Sequence, residues 1–234
     1  NSAIGYGVLH LNTTGDSNSG LGFNALYSNT TGDYNTAIGL DALYSNTTGN
    51  SNIGLGYRAL SDNTTGSDNI AMGWKALESN TTGNYNHAIG VKALFSNTSG
   101  WNNVAIWDSA LYNHNGSDAI AIGKAAAYNT ASESVIAIGR EALYSNTTGS
   151  QNQAYGWKTL YSNTTGTGNI GLGDEALNAN TTGANNSAIG WQTPRQNTTG
   201  TRNVGMGNNT LNDNTTSGAN IALGALAMQN NTPS

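Results

Sequence analysis

A seventeen-residue unit recurs along the whole chain, and its clearest copy runs from Asn35 to Ser51, reading Asn-Thr-Ala-Ile-Gly-Leu-Asp-Ala-Leu-Tyr-Ser-Asn-Thr-Thr-Gly-Asn-Ser. Numbering positions 1 to 17 from that asparagine, fourteen coils begin at Asn1, Asn18, Asn35, Asn52, Asn69, Asn86, Asn103, Ala119, Val135, Asn152, Asn169, Asn186, Asn203 and Asn220. Fixed-period self-similarity of this kind means that each unit buries its apolar surface only against its neighbours. A single repeat domain is therefore expected over residues 1–234, with regular coils in 1–102 and 135–234 and irregular ones in 103–134.

Positions 3 to 5 read Ala-Ile-Gly or a close variant in nearly every coil, and positions 8 and 9 read Ala-Leu. Side chains alternate along a strand, so a large aliphatic at position 4 faces away from the small residues beside it. Two short strands are expected per coil, at positions 2 to 5 and 8 to 11. Gly at position 5 and Asn-Thr-Thr-Gly at positions 12 to 15 supply the turns between them. In the regular coils no interval between glycines could hold an average helix. The fold class predicted is all-β, a parallel β-solenoid or β-roll of fourteen coils. Coils 7 and 8 are each one residue short, and Trp107 stands at position 5 in place of glycine. Asn113-His114-Asn115-Gly116 and Asn129-Thr130-Ala131-Ser132 replace the regular turn, so a bulge or re-aimed turn is expected there.

The formal net charge is −5 and only 9% of residues are charged, which leaves no basic stripe for a phosphate backbone and speaks against nucleic acid as a partner. Without cysteine there is no disulfide, thiolate ligand or cysteine nucleophile. The longest apolar stretch, Ile221 to Met228, is too short to span a bilayer, so an export signal or anchor is expected outside this sequence. His10, His87 and His114 fall at different positions of distant coils and read as exposed residues. They cannot assemble an acid–base or nucleophilic constellation, so no catalytic residues and no cofactor are assigned. Asp16, Asp33, Asp68 and Asp118 gather near the turns, but the glycine-aspartate nonapeptide of calcium-binding β-rolls is missing, and no metal site is assigned.

The Ala-Ile-Gly-x-x-Ala core, as at Asn35 to Ala42, Asn86 to Ala93 and Val135 to Ala142, resembles the head repeats of YadA-type trimeric autotransporter adhesins. Similar repeats occur in the fibres of tailed phages. The resemblance implies a left-handed parallel β-roll, three chains around one axis and a role in attachment to surfaces. It places the chain outside the cell, on the cell surface or on a virion. The family repeat is about three residues shorter than this one, the difference lying in the Ser-Asn-Thr-Thr turn.

Several surfaces are candidates for function. Asn12, Asn29, Asn46, Asn63, Asn80, Asn97, Asn146, Asn163, Asn180, Asn197 and Asn214 each open an Asn-Thr-Thr or Asn-Thr-Ser sequon. They are either glycan acceptors or a stacked amide ladder that fixes the turn, and the turn's own need for asparagine favours the ladder. Adjacent threonines would point to opposite sides, which makes an ice-binding array a minor alternative. Aromatic rows at positions 10 (Phe95, Tyr112, Tyr128, Tyr144, Tyr161) and 6 (among them Trp74, Trp157, Trp191) either stack on themselves or receive carbohydrate or a host-surface protein. Two large aliphatics per coil are little with which to order seventeen residues, so a further surface is expected to be buried, as in a homotrimer. Both terminal coils keep the repeat register, which suggests head-to-tail stacking into a filament as an alternative, beside a phage tail-fibre shaft.

Overall fold

The computed structural model describes residues 1–229 and contains no helix among them. The chain divides into two compact units, 1–118 and 119–234, and the boundary falls between the two shortened coils. In the first unit the strands are β1 (Ser2–Ile4), β2 (Ser19–Leu21), β3 (Thr36–Ile38), β4 (Ile53–Leu55), β5 (Ile70–Met72), β6 (His87–Ile89) and β7 (Val104–Ile106). In the second they are β8 (Ile120–Ile122), β9 (Ile136–Ile138), β10 (Gln153–Tyr155), β11 (Ile170–Leu172), β12 (Ser187–Ile189), β13 (Val204–Met206) and β14 (Ile221–Leu223). Within each unit every strand pairs in parallel with the next, position on position, as in Thr36 with Ile53 and Ile38 with Leu55 or Gln153 with Ile170. Each unit is a parallel β-solenoid, as the repeat predicts.

The second strand expected at positions 8 to 11 is not there. Positions 6 to 11 form turns, and the leucine at position 9 is left-handed, with φ of 52° at Leu43 and 54° at Leu60. Position 7 is left-handed too, at Asp41 (φ 54°), and so is position 17, at Ser51 (φ 55°). A non-glycine residue in this region costs about 1–2 kcal/mol. It is held there because the backbone stays in register with its neighbours outside the strands as well. In coil 3 the N–H groups of Thr36, Leu43, Ser45 and Thr47 donate forward to coil 4, to the carbonyls of Asn52, Ala59, Ser61 and Thr64, at 2.8–3.0 Å. Those of Gly39, Asp41 and Ser51 donate backward to Leu21, Phe23 and Asp33 of coil 2, at 2.8–3.0 Å. The left-handed residues turn individual amides toward one neighbour or the other, so few are left unpaired.

The core is narrow. It takes the position-3 alanine or glycine, the position-8 alanine and the position-9 leucine, as at Ala37, Ala42 and Leu43, all 0% exposed. A side chain and a gap trade places along one seam. A Cβ on Gly20, Gly171 or Gly205 would come within 2.8 Å or less of the branched position-8 residue one coil earlier, Val8, Thr159 or Thr193. Two coils depart from this: Gly54 follows Ala42, and the side chain nearest a Cβ on it would be Leu43, at 3.3 Å; Thr210 precedes Ala222 in the outermost described coil, where Ala222 keeps 3% of its surface. Glycine at position 5 is compelled twice over: Gly39 has φ of 136°, and a Cβ there would meet the carbonyl oxygen of Gly56 at 2.5 Å.

The shortened turn of coil 7 is re-aimed, and β7 keeps its register with β6. Where Thr47 and Thr48 donate to the backbone carbonyl of Thr64, the amides of Thr98 and Ser99 donate to the side-chain Oδ1 of Asn115, at 2.8 and 3.1 Å. An amide side chain thus replaces the missing carbonyl. Trp107, at the glycine position, has φ of 103° and is exposed.

Candidate functional site

Because neighbouring coils stay in register, like residues stack on like, and the chemistry of the surface is organised in columns. Three of these concern function: the asparagine columns, the outward aliphatic stripe and the aromatic columns.

The sequon asparagines at position 12 are buried, except Asn12 in the first coil, which is half-buried and donates only to the Gly15 carbonyl. Asn63 Nδ2 donates to Asn46 Oδ1 (2.8 Å) and to the Gly66 carbonyl (2.9 Å), and its own Oδ1 accepts from Asn80 Nδ2 (2.8 Å). The same pattern links Asn12, Asn29 and Asn46, continues to Asn97, and runs from Asn146 through Asn163, Asn180 and Asn197 to Asn214. With Nδ2 committed to two buried acceptors, a glycan could be attached in the folded coil only by breaking the ladder. Sequence reasoning missed a second ladder, at position 1. Asn52 Nδ2 donates to Asn35 Oδ1 (3.2 Å) and to the Gly66 carbonyl (2.8 Å), so both ladders converge on the glycine of each turn. The asparagine that opens nearly every coil was the available signal.

The expectation that the histidines are exposed fails at His114. It stands at position 12, inside the ladder, 0% exposed, with Nε2 3.1 Å from Asn103 Oδ1. Asn97 Oδ1, which would accept from an asparagine there, is buried without a hydrogen-bond partner among the described residues. His10 and His87 are exposed. Of the aspartates near the turns, Asp33 serves the backbone, its Oδ1 accepting from the Asp16 amide at 2.7 Å, a role that Asn50 and Asn84 fill in other coils, while Asp118 Oδ1 accepts from the Asn102 side-chain amide at 3.3 Å. Among the described residues no group of three or more His, Asp or Glu could hold a metal ion, and no helix is long and apolar enough to cross a membrane.

The position-4 aliphatics face outward. Ile38 is 44% exposed, Leu172 48% and Met206 47%. Many position-2 residues on the same face are also apolar, among them Ile53, Ile70, Ile136 and Val204.

The aromatic columns stack. At position 10, Tyr27 lies on Tyr44 with ring centroids 5.3 Å apart, Phe95 on Tyr112 at 5.1 Å, and Tyr144 on both Tyr128 and Tyr161 at 5.3 Å. His10 extends the column by stacking on Tyr27 at 5.0 Å, a member that sequence reasoning passed over although it occupies the same position. These rings are mostly half-buried, whereas Trp74, Trp157 and Trp191 at position 6 are exposed. Lysines at position 7 lie over the rings: Lys92 Nζ is 5.3 Å from the Trp74 centroid and 5.7 Å from that of Phe95, and Lys158 is 5.1 Å from Trp157.

A scan against protein-family models, a comparison with curated proteins and a comparison with solved structures each gave no match.

Proposed function

We propose that the chain is a structural and adhesive fibre repeat that works outside the cell or on a virion, without catalytic activity, and that it assembles as a homotrimer through its outward aliphatic stripe. The stripe is the observation that carries this reading. It runs along each unit at one large apolar residue per coil, with Ile4, Leu21, Ile38, Met72 and Ile89 all more than a third exposed in the first. Contiguous apolar surface of that extent marks an association surface. A partner with the same axial spacing would match it coil for coil, and an identical chain has that spacing. The likeness to trimeric adhesin heads supplies the number three and the attachment role. Light scattering on the purified chain should return the mass of three copies, and Met72→Lys with Ile89→Lys should return one. A folded natural chain with a monomer mass would overturn the assembly. Beads coated with the trimer should adhere to cell surfaces or matrix, and failure to do so would overturn the adhesive role.

A further inference from the structure

The position-10 column of the first unit is broken in the middle. His10, Tyr27 and Tyr44 precede the break and Phe95 and Tyr112 follow it, while coils 4 and 5 carry Ser61 and Glu78. Glu78 fills its own place, buried and ion-paired to Arg58 at 3.0 Å and Lys75 at 3.1 Å. Ser61 does not, and a cleft of about 340 Å³ opens there beside Tyr44. Around it stand Asn24, Asp41, Arg58 and Asp62. A second cleft of about 410 Å³ adjoins it, shares Asn24 and Tyr44, and is bounded by Tyr6, Phe23, His10 and Tyr27 over Gly7.

The two clefts adjoin as one groove beside the position-10 column, lined throughout by position-7 residues and bounded by the position-6 rings Tyr6 and Phe23 in coils 1 and 2. Position 7 differs along it. In coils 5 and 6 Lys75 and Lys92 lie onto Trp74 and Phe95, at 5.1–6.0 Å from the ring centroids. In coils 1 to 3 the residues are Gly7, Asn24 and Asp41, too short to do so, and in coil 4 Arg58 is held by Glu78 at 3.0 Å and lines the cleft.

We infer that this groove over coils 1 to 4 binds a neutral oligosaccharide. Its combined size suits more than one sugar ring. Tyr27 covers one face of the Tyr44 ring, and the other borders the cleft left by Ser61, where it can take the C–H face of a pyranose; Tyr6, Phe23, His10 and Tyr27 are stacked on their neighbours and add ring edges. The polar groups are of both kinds, carboxylates of Asp41 and Asp62 to accept hydroxyl protons and the Arg58 and Asn24 side chains to donate to hydroxyl oxygens, which is the mixture a polyol satisfies. An anion would meet two carboxylates. A cation would meet Arg58, which already lies 3.9 Å from Asp62 and partly neutralises it. An aromatic hydrocarbon would leave the carboxylates desolvated and unpaired. This ligand class deepens the adhesive reading and rests on it, though it does not depend on trimerisation.

The experiment is isothermal titration calorimetry of the full chain with malto-, cello- and mannohexaose, with a heparin hexasaccharide and an arginine hexapeptide as charged comparators. Two variants copy residues that the same positions carry in other coils and so are expected to fold: Ser61→Tyr, which completes the ring column, and Asn24→Lys, which lays a lysine onto the rings as Lys92 does. At least one neutral hexasaccharide should bind with a Kd below about 1 mM, at least about tenfold more tightly than it binds either variant. No neutral binding at about 10 mM ligand, binding unchanged in both variants, or binding of the charged comparators alone would each overturn the assignment. A chain that still attaches to surfaces while binding none of these sugars would lose the ligand and keep the adhesive role, and sugar binding without surface attachment would do the reverse.

Discussion

Adding one methyl group at Gly171 tests whether the coil interior is as tightly coupled as its geometry implies. A Cβ there would lie 2.4 Å from Thr159 Cγ2 in the coil before, and its next nearest neighbours, the carbonyl oxygen and Cβ of Ala176, are at 3.6 and 3.7 Å, ordinary contact. The threonine methyl is therefore the sole obstacle, and overpacking of this size costs about 1–3 kcal/mol. Thr159→Ala alone removes a buried methyl, about 0.8 kcal/mol, and a hydroxyl that donates to the Gly173 carbonyl at 2.6 Å, about 1 kcal/mol more. That carbonyl keeps the Ala176 amide at 3.2 Å, so no acceptor is orphaned. The double variant recreates the pair of buried alanines found at Ala25 and Ala37. It should be no less stable than Thr159→Ala, which makes the two changes non-additive by about 1–3 kcal/mol. Amide hydrogen exchange of Ile170, Leu172 and Gly173 reads this locally, without assuming that the array unfolds in one step. Additive losses of protection in the double variant would refute the shared-volume account.

The asparagine ladder predicts an unusual order of severity. Asn63→Ala deletes three hydrogen bonds and orphans the buried Asn46 Oδ1, for a loss of about 2–4 kcal/mol. Asn63→Asp, although isosteric, should be worse at neutral pH, since its carboxylate would face the two oxygens that Nδ2 now serves. The neutral acid can donate to one of them, so the folded state raises its pKa, and the extra penalty should vanish at low pH and grow as pH rises through that value. Urea midpoints across pH check this, and an Asp variant milder than Ala at neutral pH would sink the ladder. Ser51→Gly should stabilise by about 0.5–1 kcal/mol, because Ser51 is left-handed and Gly168 fills the same position with φ of 65°. An unchanged or lower melting temperature would show that these left-handed residues are not strained. His114→Asn should rebuild the ladder and restore a donor to Asn97 Oδ1, raising stability by about 1 kcal/mol; a loss of stability would mean that the imidazole is better placed than an amide.

The period, the parallel register and the first strand, expected at positions 2 to 5 and found at 2 to 4, were legible in the sequence, because each depends on residues repeating in place. What was not legible is which face is inside. A large aliphatic at position 4 beside Ala or Gly at position 3 looks like a core residue beside a spacer. In the solenoid the coil is so narrow that position 3 has room only for a methyl or a hydrogen, and Ile38 is the one turned out. The misplaced second strand has a similar origin. Ala42-Leu43 alternates as a strand would, and leucine gives no local hint of a left-handed backbone. Burial of Leu43 and the forward bond from its amide to Ala59 override that intrinsic preference. His114 could have been placed by counting, since it falls on the asparagine position. The groove beside Tyr44 could not, since it arises from short residues at positions 7 and 10 in different coils.

The left-handed backbone at positions 7, 9 and 17 carries a consequence for how such a chain is made. Those conformations are unfavourable in a free chain, and the bonds that hold them reach only to adjacent coils. A lone coil has no partner for them, so starting the structure is expensive and extending it is cheap, as in helix nucleation. At about 5–20 residues per second of synthesis, roughly one coil leaves the ribosome each second or so. Once two coils have closed on each other, each later arrival meets a finished edge that dictates its handedness residue by residue, and folding can proceed in step with translation.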